Sequence, residues 1–330
     1  MDVFFNAVLF PIKWAIEGIL VAFHWLFTTL GMDGHAGLTW VLSIVGLTVI
    51  VRAALIPIFV RQIKSQRRMM EVAPQLKKIQ DKYKGKKDQF SREAMSRETM
   101  ALYKRTGTNP LSSCLPLLLQ MPIFFGLFSV LNNAQHVNPD KSHNAGVFWL
   151  DQALSTSFGT SSLFDIAPLH LAISTAEGNV AVIVIASVMV VIMTASQFIT
   201  QLQIMSKNQS PEVKASPMYR QQRILLYLLP FVFLFSGFTF AIGVMFYWLA
   251  SNLWTMGQQF IVIRNMPTPG SEAAFAREAR LARQRQRRGI SETPDEIQLS
   301  NTIAEEPKKP QRQQPVNKNR AKKKPGGNRR

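Results

Sequence analysis

Apolar and polar residues alternate along this chain in long blocks. Four apolar blocks are separated by polar or charged segments, and they cover residues 38–60, 111–133, 179–204 and 224–263. About 20 apolar residues form a helix that crosses the hydrocarbon core of a bilayer, where only a helix satisfies its own backbone. Each of the first three blocks predicts one membrane-spanning helix. The fourth predicts two, 224–242 and 243–263, with a turn near Ser236 and Gly237.

Residues 1–37 are also mostly apolar, but Pro11, Lys13, Glu17 and His24 interrupt the run. Two interpretations are open: an uncleaved signal-anchor that spans the membrane, or an amphipathic helix that lies on its outer surface. The charges inside the run favour the second, so the prediction is an outer interfacial helix. A cleaved signal peptide is not expected, because no basic region precedes the apolar run.

The charged segment 61–108 predicts a cytoplasmic helical hairpin. Its apolar residues recur at the alternating spacings of three and four that coiled coils show, and they are Met69, Val72, Leu76, Ile79 and Tyr83. Gly85 breaks this pattern, and a second charged helix is expected from Ser91 to Lys104. The alternative is a solvated loop with some helix.

The remaining polar segments predict two loops and a tail. Residues 134–178, called the outer loop below, are rich in Ser, Thr, Gly and Asn, and 205–223 form a short cytoplasmic loop. Residues 264–330 are rich in Arg, Lys, Gln and Pro, a composition typical of disorder beyond a helix near 271–288. The basic charge of this tail suits attachment to RNA or anionic lipid, or serves only to orient the chain.

The basic residues orient the predicted helices. Of the 38 Lys and Arg residues, 14 lie in 61–105, four in 206–223 and 17 in 264–330. These segments fall on one side of a five-span chain, and the other side holds only Lys13 and Lys141. Because basic residues near the spans stay in the cytoplasm, we expect the N-terminus outside and the C-terminus in the cytoplasm.

The composition argues against several functions. The chain has 330 residues, a net charge of +18 and one cysteine, Cys114, which excludes an internal disulfide. Its sequence contains no nucleotide-binding loop, no metal-ligand spacing and no nucleophile beside a base. We therefore expect no enzymatic activity, no cofactor and no metal. The positive charge points to anionic partners, either lipid headgroups or nucleic acid.

Arg52 is a charged residue inside an apolar block. A guanidinium near the bilayer centre costs about 2.5–3.5 kcal/mol on insertion scales. In one interpretation Pro57 ends the helix early and the side chain extends to the cytoplasmic interface. In the other, Arg52 lies in a water-filled groove. None of the five predicted spans contains an acidic residue, so Arg52 has no obvious ion-pair partner.

Polar residues on the other spans favour the groove. On the last span they recur at helical spacing and form one stripe, composed of Trp248, Ser251, Asn252, Thr255, Gln258 and Gln259. A second stripe on the third span consists of Thr194, Gln197 and Gln201. On the first span, Thr48 lies one turn before Arg52. One stripe can be explained by hydrogen bonds between helices, but three stripes beside an unpaired charge predict a shared hydrophilic groove.

Several motifs resemble the YidC/Oxa/Alb family of membrane protein insertases. The longest is the stretch from Asn109 to Phe124, NPLSSCLPLLLQMPIF, which contains Gln120 and resembles the second core span of that family. The similarity runs in order over about residues 5–265. The other motifs are Leu9-Phe10 and Lys13-Trp14 in the outer helix, Thr48 to Arg52 with Pro57, Met100 to Lys104 at the end of the hairpin, and Tyr247 to Gln259.

This resemblance implies a five-helix core around a hydrophilic groove that is open to the cytoplasm and to lipid. Arg52 is implied to attract the polar segments of substrates. The full set of predicted groove residues is Arg52, Thr48, Trp248, Tyr247, Asn252, Gln197 and Gln120. Gram-negative relatives carry an extra first span and a large periplasmic domain, and several Gram-positive relatives carry a lipoprotein cysteine. This chain shows neither the extra span nor the large domain, and because it also lacks a lipoprotein signal with its cysteine, lipidation is not expected.

The predicted function is a membrane protein insertase of the bacterial cell membrane, which inserts integral membrane proteins and helps them fold. The implied partners are nascent membrane proteins, membrane lipids, a Sec-type translocon through the hairpin and the ribosome through the basic tail. One alternative is a small-solute transporter, which would show inverted repeats and paired intramembrane charges. Another is a membrane scaffold that docks ribosomes through its tail.

Overall fold

In the computed structural model, residues 2–86, 88–108, 115–135, 144–214 and 217–288 are described, and α-helices account for most of them. The helices are α1 Asp2–Thr29, α2 Gly37–Lys82, α3 Gln89–Thr106, α4 Leu115–Gln135, α5 Gln152–Thr160, α6 Val180–Lys207, α7 Pro211–Lys214, α8 Pro217–Thr239, α9 Ile242–Asn265 and α10 Glu272–Arg287. The outer loop adds an antiparallel pair of strands, β1 Ser162–Leu163 and β2 Ala167–Pro168, and a 3-10 helix at Ile173–Thr175.

Some predictions concern residues outside the described ranges. These are the start of the second span at Asn109 and Pro110, the environment of Cys114, and the disorder of the tail beyond residue 288. The chain divides into two units, Met1–Glu278 and Ala279–Arg330. The first contains the helical core, and the described part of the second begins within α10.

Three of the described helices contain a stretch long and apolar enough to cross a membrane, and these stretches are Leu9–Thr29, Gly37–Met69 and Val180–Lys207. The helices also keep large apolar side chains exposed, among them Val188 and Val191 on α6 and Phe231 and Phe235 on α8. Such surfaces are unfavourable in water and suited to lipid. The prediction of an all-α membrane protein is confirmed.

The second helix is longer than the predicted first span. It begins at Gly37 and continues through the charged residues after position 60 to Lys82. Pro57 and Pro74 both lie inside it, so the helix does not end at Pro57. The interpretation in which the Arg52 side chain extends to the interface required the helix to end there. A proline removes one backbone hydrogen bond, but packing of the rest of the helix can hold its axis.

The C-terminal part of α2 forms a helical hairpin with α3, which packs along it. Lys82 forms an ion pair with Glu98, and the hydroxyl of Tyr83 donates to the same carboxylate at 2.9 Å. These two hydrogen bonds lower the pKa of Glu98. Nearer the membrane-spanning part, Arg105 donates to Gln75 at 3.2 Å. The two arms therefore run antiparallel.

The turn between α8 and α9 lies at residues 240–241, not at Ser236 and Gly237. Both of those residues are inside α8. A Cβ atom on Gly237 would collide with the side chain of Val190. The glycine therefore allows α8 to approach α6 closely. The predicted turn position was wrong because glycine serves close helix packing as well as turns.

The buried core lies where α1, α2, α4, α6 and α9 meet beneath the outer loop, and its fully buried side chains include Leu20, Trp40, Ile44, Leu131, Met193 and Met245. Trp40 near the start of α2 packs against Phe158 of α5, with ring centroids 5.1 Å apart. At the start of α9, Ile242 and Gly243 donate backbone hydrogen bonds to carbonyls of the outer loop, both at 2.9 Å. Both helices therefore begin at the outer loop.

A buried carboxylate joins α1 to the outer loop. Glu17 is 0% exposed, and it accepts hydrogen bonds from the backbone N–H groups of residues 147–150 at 2.6, 2.9, 3.2 and 3.5 Å. A Cβ atom on Gly146 would collide with this carboxylate, so a larger residue at 146 would displace Glu17 from its N–H donors. We call this arrangement the Glu17 clasp. The four N–H groups satisfy the carboxylate oxygens, and no ion pair of Glu17 is found among the described residues.

Candidate functional site

One side of α2 faces the inside of the helical bundle. Its residues 48, 52, 55, 59 and 62 are buried or half-buried, and they are spaced four, three, four and three apart. Positions 49, 50, 54, 56, 57, 58 and 61 are exposed, whereas positions 51, 53 and 60 are half-buried. This is the pattern of a helix with a single inward face. Arg52 therefore points into the bundle rather than toward lipid.

Arg52 lies close to a polar pair on two other helices. The buried Tyr247 of α9 is within electrostatic range of the guanidinium. The amide nitrogen of Gln120, on α4, donates to the Tyr247 hydroxyl at 3.1 Å. The structure thus brings together three of the predicted groove residues from three helices. Among the described residues the ion pair found is the one between Lys82 and Glu98, so Arg52 has no carboxylate partner there.

The half-buried position of Arg52 determines what it can do chemically. A guanidinium carries five N–H donors in a rigid fork that matches a carboxylate, and it stays protonated. Partial burial reduces screening by water, so an approaching negative charge is attracted more strongly than at an exposed site. The Tyr247 hydroxyl and the Gln120 amide add neutral hydrogen-bonding groups beside it. The arrangement suits a peptide segment with acidic or polar side chains.

Two predicted groove residues are used for packing. Thr48 is 2% exposed, and its hydroxyl donates to the carbonyl of Ile44 at 2.7 Å. Trp248 stacks on Phe124 with a centroid distance of 5.7 Å and meets the edge of Phe240 at 5.0 Å. The described contacts of both residues are therefore packing contacts and a hydrogen bond within a helix.

The part of α9 that follows Tyr247 contains polar groups without hydrogen-bond partners among the described residues. The Asn252 amide nitrogen and the Ser251 hydroxyl are buried, and neither has a hydrogen-bond partner among the described residues. Further along, the Thr255 hydroxyl donates to the Ser251 carbonyl at 2.8 Å, which satisfies it within the helix. Gln197 is half-buried on α6, and α6 packs along α9.

Gln62 is a buried polar residue that is not among the predicted groove residues. It is 3% exposed, and neither its amide nitrogen nor its amide oxygen has a partner among the described residues. It follows Thr48 and Arg52 on the inward side of α2. Helical periodicity could have identified it, but the predicted span ended at residue 60.

An open depression of about 720 Å³ lies at the outer loop, away from Arg52. Its lining includes His35, Asp151, Gln152, Thr156 and Thr160, and none of the predicted groove residues. The described residues contain no group of His, Cys, Asp and Glu that could hold a metal ion. The polar cluster around Arg52 therefore remains the candidate site.

Known proteins resemble this chain over most of its length. Residues 31–269 match the family described as 60Kd inner membrane protein. The chain is 43% identical over 327 residues to a protein of Tropheryma whipplei (strain Twist) named membrane protein insertase YidC, with 97% of each chain covered. Proteins of the same name from Bifidobacterium longum and Streptomyces avermitilis are 34% and 42% identical. These matches cover 97% and 82% of this chain, and 96% and 61% of the relatives.

Proposed function

Because this chain belongs to the YidC/Oxa/Alb family and is a membrane protein insertase of the cell membrane, we propose that it inserts its substrates through a polar groove around Arg52. Its substrates are membrane proteins. The groove would lie between α2, α4 and α9, which carry Arg52, Gln120 and Tyr247. It would receive the polar segment of a substrate that has to cross the bilayer.

The observation that carries this proposal is a guanidinium on the inward side of an apolar helix without a carboxylate partner among the described residues. A charge in that position is unfavourable unless water or a ligand solvates it. The neighbouring Tyr247 and Gln120 provide only neutral hydrogen-bonding groups. An arginine with only a structural role would be expected to form an ion pair. An arginine without an ion-pair partner can instead bind a substrate.

The mechanism needs no external energy source. Burial of the apolar part of a substrate helix provides about 25 cal/mol per Å² of area removed from water, which drives insertion. The barrier is the polar segment, because its backbone and side chains lose water on entering the hydrocarbon. A polar groove replaces part of that water, and Arg52 compensates acidic side chains. Insertion then becomes faster without a change in its overall free energy.

We propose five spans with an outer N-terminus and a cytoplasmic C-terminus, at 38–60, 111–133, 179–204, 224–242 and 243–263. The distribution of basic residues supports this orientation. The common starting point of α2 and α9 at the outer loop is consistent with it, since both would then cross from the outer side to the cytoplasm.

We also propose that α1 lies on the outer surface, although its stretch Leu9–Thr29 is long enough to cross a membrane. The Glu17 clasp joins the middle of α1 to the outer loop. A helix that spanned the bilayer would have its middle in the hydrocarbon instead. The hairpin of α2 and α3 and the basic tail remain proposed contacts for a Sec-type translocon and the ribosome.

Photocrosslinking tests the groove directly. A photoreactive residue at position 252, at the half-buried Asn252, is expected to crosslink to stalled nascent membrane proteins during insertion. Its neighbour Leu253 is 45% exposed on the lipid side and is the matched control, with few expected crosslinks. Equal crosslinking at 252 and 253 would argue against a groove on this face of α9.

Truncation of the tail separates the insertase from a ribosome-docking scaffold. Removing residues 289–330 is expected to reduce insertion only partly, whereas a scaffold would lose all function. The cut must spare residues 266–271, because the Thr268 N–H donates to Asn208 at 2.8 Å and both Thr268 and Ser271 are buried. Insertion and ribosome cosedimentation are measured on both the 289–330 and the 272–330 deletions. Complete loss with the shorter deletion would contradict the expectation.

A further inference from the structure

Three polar side chains near the cytoplasmic half of the groove share an unusual property. The Gln62 amide, the Ser251 hydroxyl and the Asn252 amide nitrogen are shielded from solvent, and none has a hydrogen-bond partner among the described residues. Buried polar groups are normally hydrogen-bonded, so three without partners among the described residues need an explanation. By comparison, Ser43 is as deeply buried in α2, and its hydroxyl donates to the Thr39 carbonyl at 2.7 Å.

These groups follow Arg52 and Tyr247 along their helices, in the direction that leads away from the outer loop. The helices α2 and α9 pack together and both begin at the outer loop. Ser251 follows Tyr247 by four residues, which is about 6 Å along a helix. Gln62 follows Arg52 by ten residues, about 15 Å along α2. From Arg52 and Tyr247, unpaired polar groups therefore continue toward the base of the hairpin.

Unpaired groups make the packed arrangement less stable than its apolar contacts alone would make it. A buried donor or acceptor has lost its water and has gained no replacement, which is a net penalty. That penalty disappears when the helices separate and the groups meet water or another polar partner. The packed contact of this region is therefore easier to open than an apolar contact of the same size.

We propose that Gln62, with Ser251 and Asn252, is a second and charge-independent contact for the main chain of the translocated segment, and that it is closed in this conformation. A primary amide offers both a donor and an acceptor, as every peptide unit does. It can therefore bind a backbone of any sequence, whereas Arg52 selects acidic segments. This inference rests on the proposed groove.

The test uses substitutions that remove the polar atom and preserve the volume. Gln62→Met and Ser251→Ala are expected to raise the unfolding temperature of the full-length protein in detergent, because they remove the penalty of the packed state. Ser43→Ala, which breaks a hydrogen bond, is not expected to raise it. Gln62→Met is also expected to slow insertion in reconstituted vesicles by about fivefold, the equivalent of one lost hydrogen bond. The reduction should be equal for acidic and for neutral polar segments.

Opposite effects on stability and insertion would not arise from a merely structural glutamine. An unfolding temperature of Gln62→Met that falls or does not change would overturn the inference, as would unchanged insertion. A defect limited to acidic segments would also overturn it. If instead Arg52→Ala leaves insertion unaltered, the proposed groove fails, and the unfolding temperatures still show whether the three groups destabilise the packed state.

Discussion

Substitution of Arg52 with alanine is expected to slow the insertion of substrates with acidic translocated segments by about tenfold, the effect of roughly 1.4 kcal/mol. The guanidinium is half-buried. Its attraction for a carboxylate is therefore stronger than that of an exposed charge and weaker than that of a fully buried charge. Substrates whose translocated segments are neutral should be affected much less. The measurement is insertion into vesicles that contain only the purified protein.

Two variants and a control refine this expectation. Arg52→Lys keeps the charge and should retain most activity, although it loses the forked geometry of the guanidinium. Arg52→Glu should reverse the preference and disfavour acidic segments. Arg61→Ala is the matched control, because Arg61 is an exposed arginine on the same helix. Unchanged insertion of acidic substrates by Arg52→Ala, at equal protein levels, would refute an essential role of this arginine.

Substitution of Glu17 with alanine is expected to destabilise the protein by on the order of 3–5 kcal/mol. The variant would leave four backbone N–H groups of residues 147–150 without their acceptor, and it would leave a cavity where the carboxylate fills the space beside Gly146. The outer loop would then separate from α1. Unfolding in detergent and proteolysis at the outer loop measure the effect.

Controls distinguish the clasp from the general loss of a carboxylate. Glu17→Gln should be intermediate, because its amide keeps one acceptor oxygen and adds a donor that faces other donors. Asp151→Ala removes an exposed carboxylate that accepts one N–H, from Leu154 at 2.7 Å, at the start of α5. The loss of such a helix cap costs about 1 kcal/mol. Equal destabilisation by Glu17→Ala and Asp151→Ala would contradict the clasp.

Much of the architecture follows from the sequence. Apolar blocks of about 20 residues predict helices because the backbone must satisfy itself in lipid, and the all-α membrane fold is confirmed. Arg52 is half-buried on α2, and its role in a groove stays a prediction. Family motifs predicted the insertase, and the comparisons with known proteins confirm it.

Other features could not be predicted because they depend on distant residues. Gly237 is typical of a turn in sequence, but its contact with Val190 of another helix makes it a packing residue. Thr48 occupies a groove position by periodicity, but its hydroxyl bonds to its own helix. Gln62 lies beyond the predicted end of the first span, and only the continuous α2 places it on the inward side.

The class of the molecule, its helical segments and the family to which it belongs can all be inferred from the amino-acid sequence. These properties follow from local composition and periodicity, which act within one segment. The pairing of the polar groups, in contrast, depends on the folded arrangement of the helices. The partners of Glu17 lie about 130 residues away in the outer loop, and Gln120 meets Tyr247 across two helices. Hydrogen bonds and burial depend on what the folded chain brings near each atom, so no single segment can specify them.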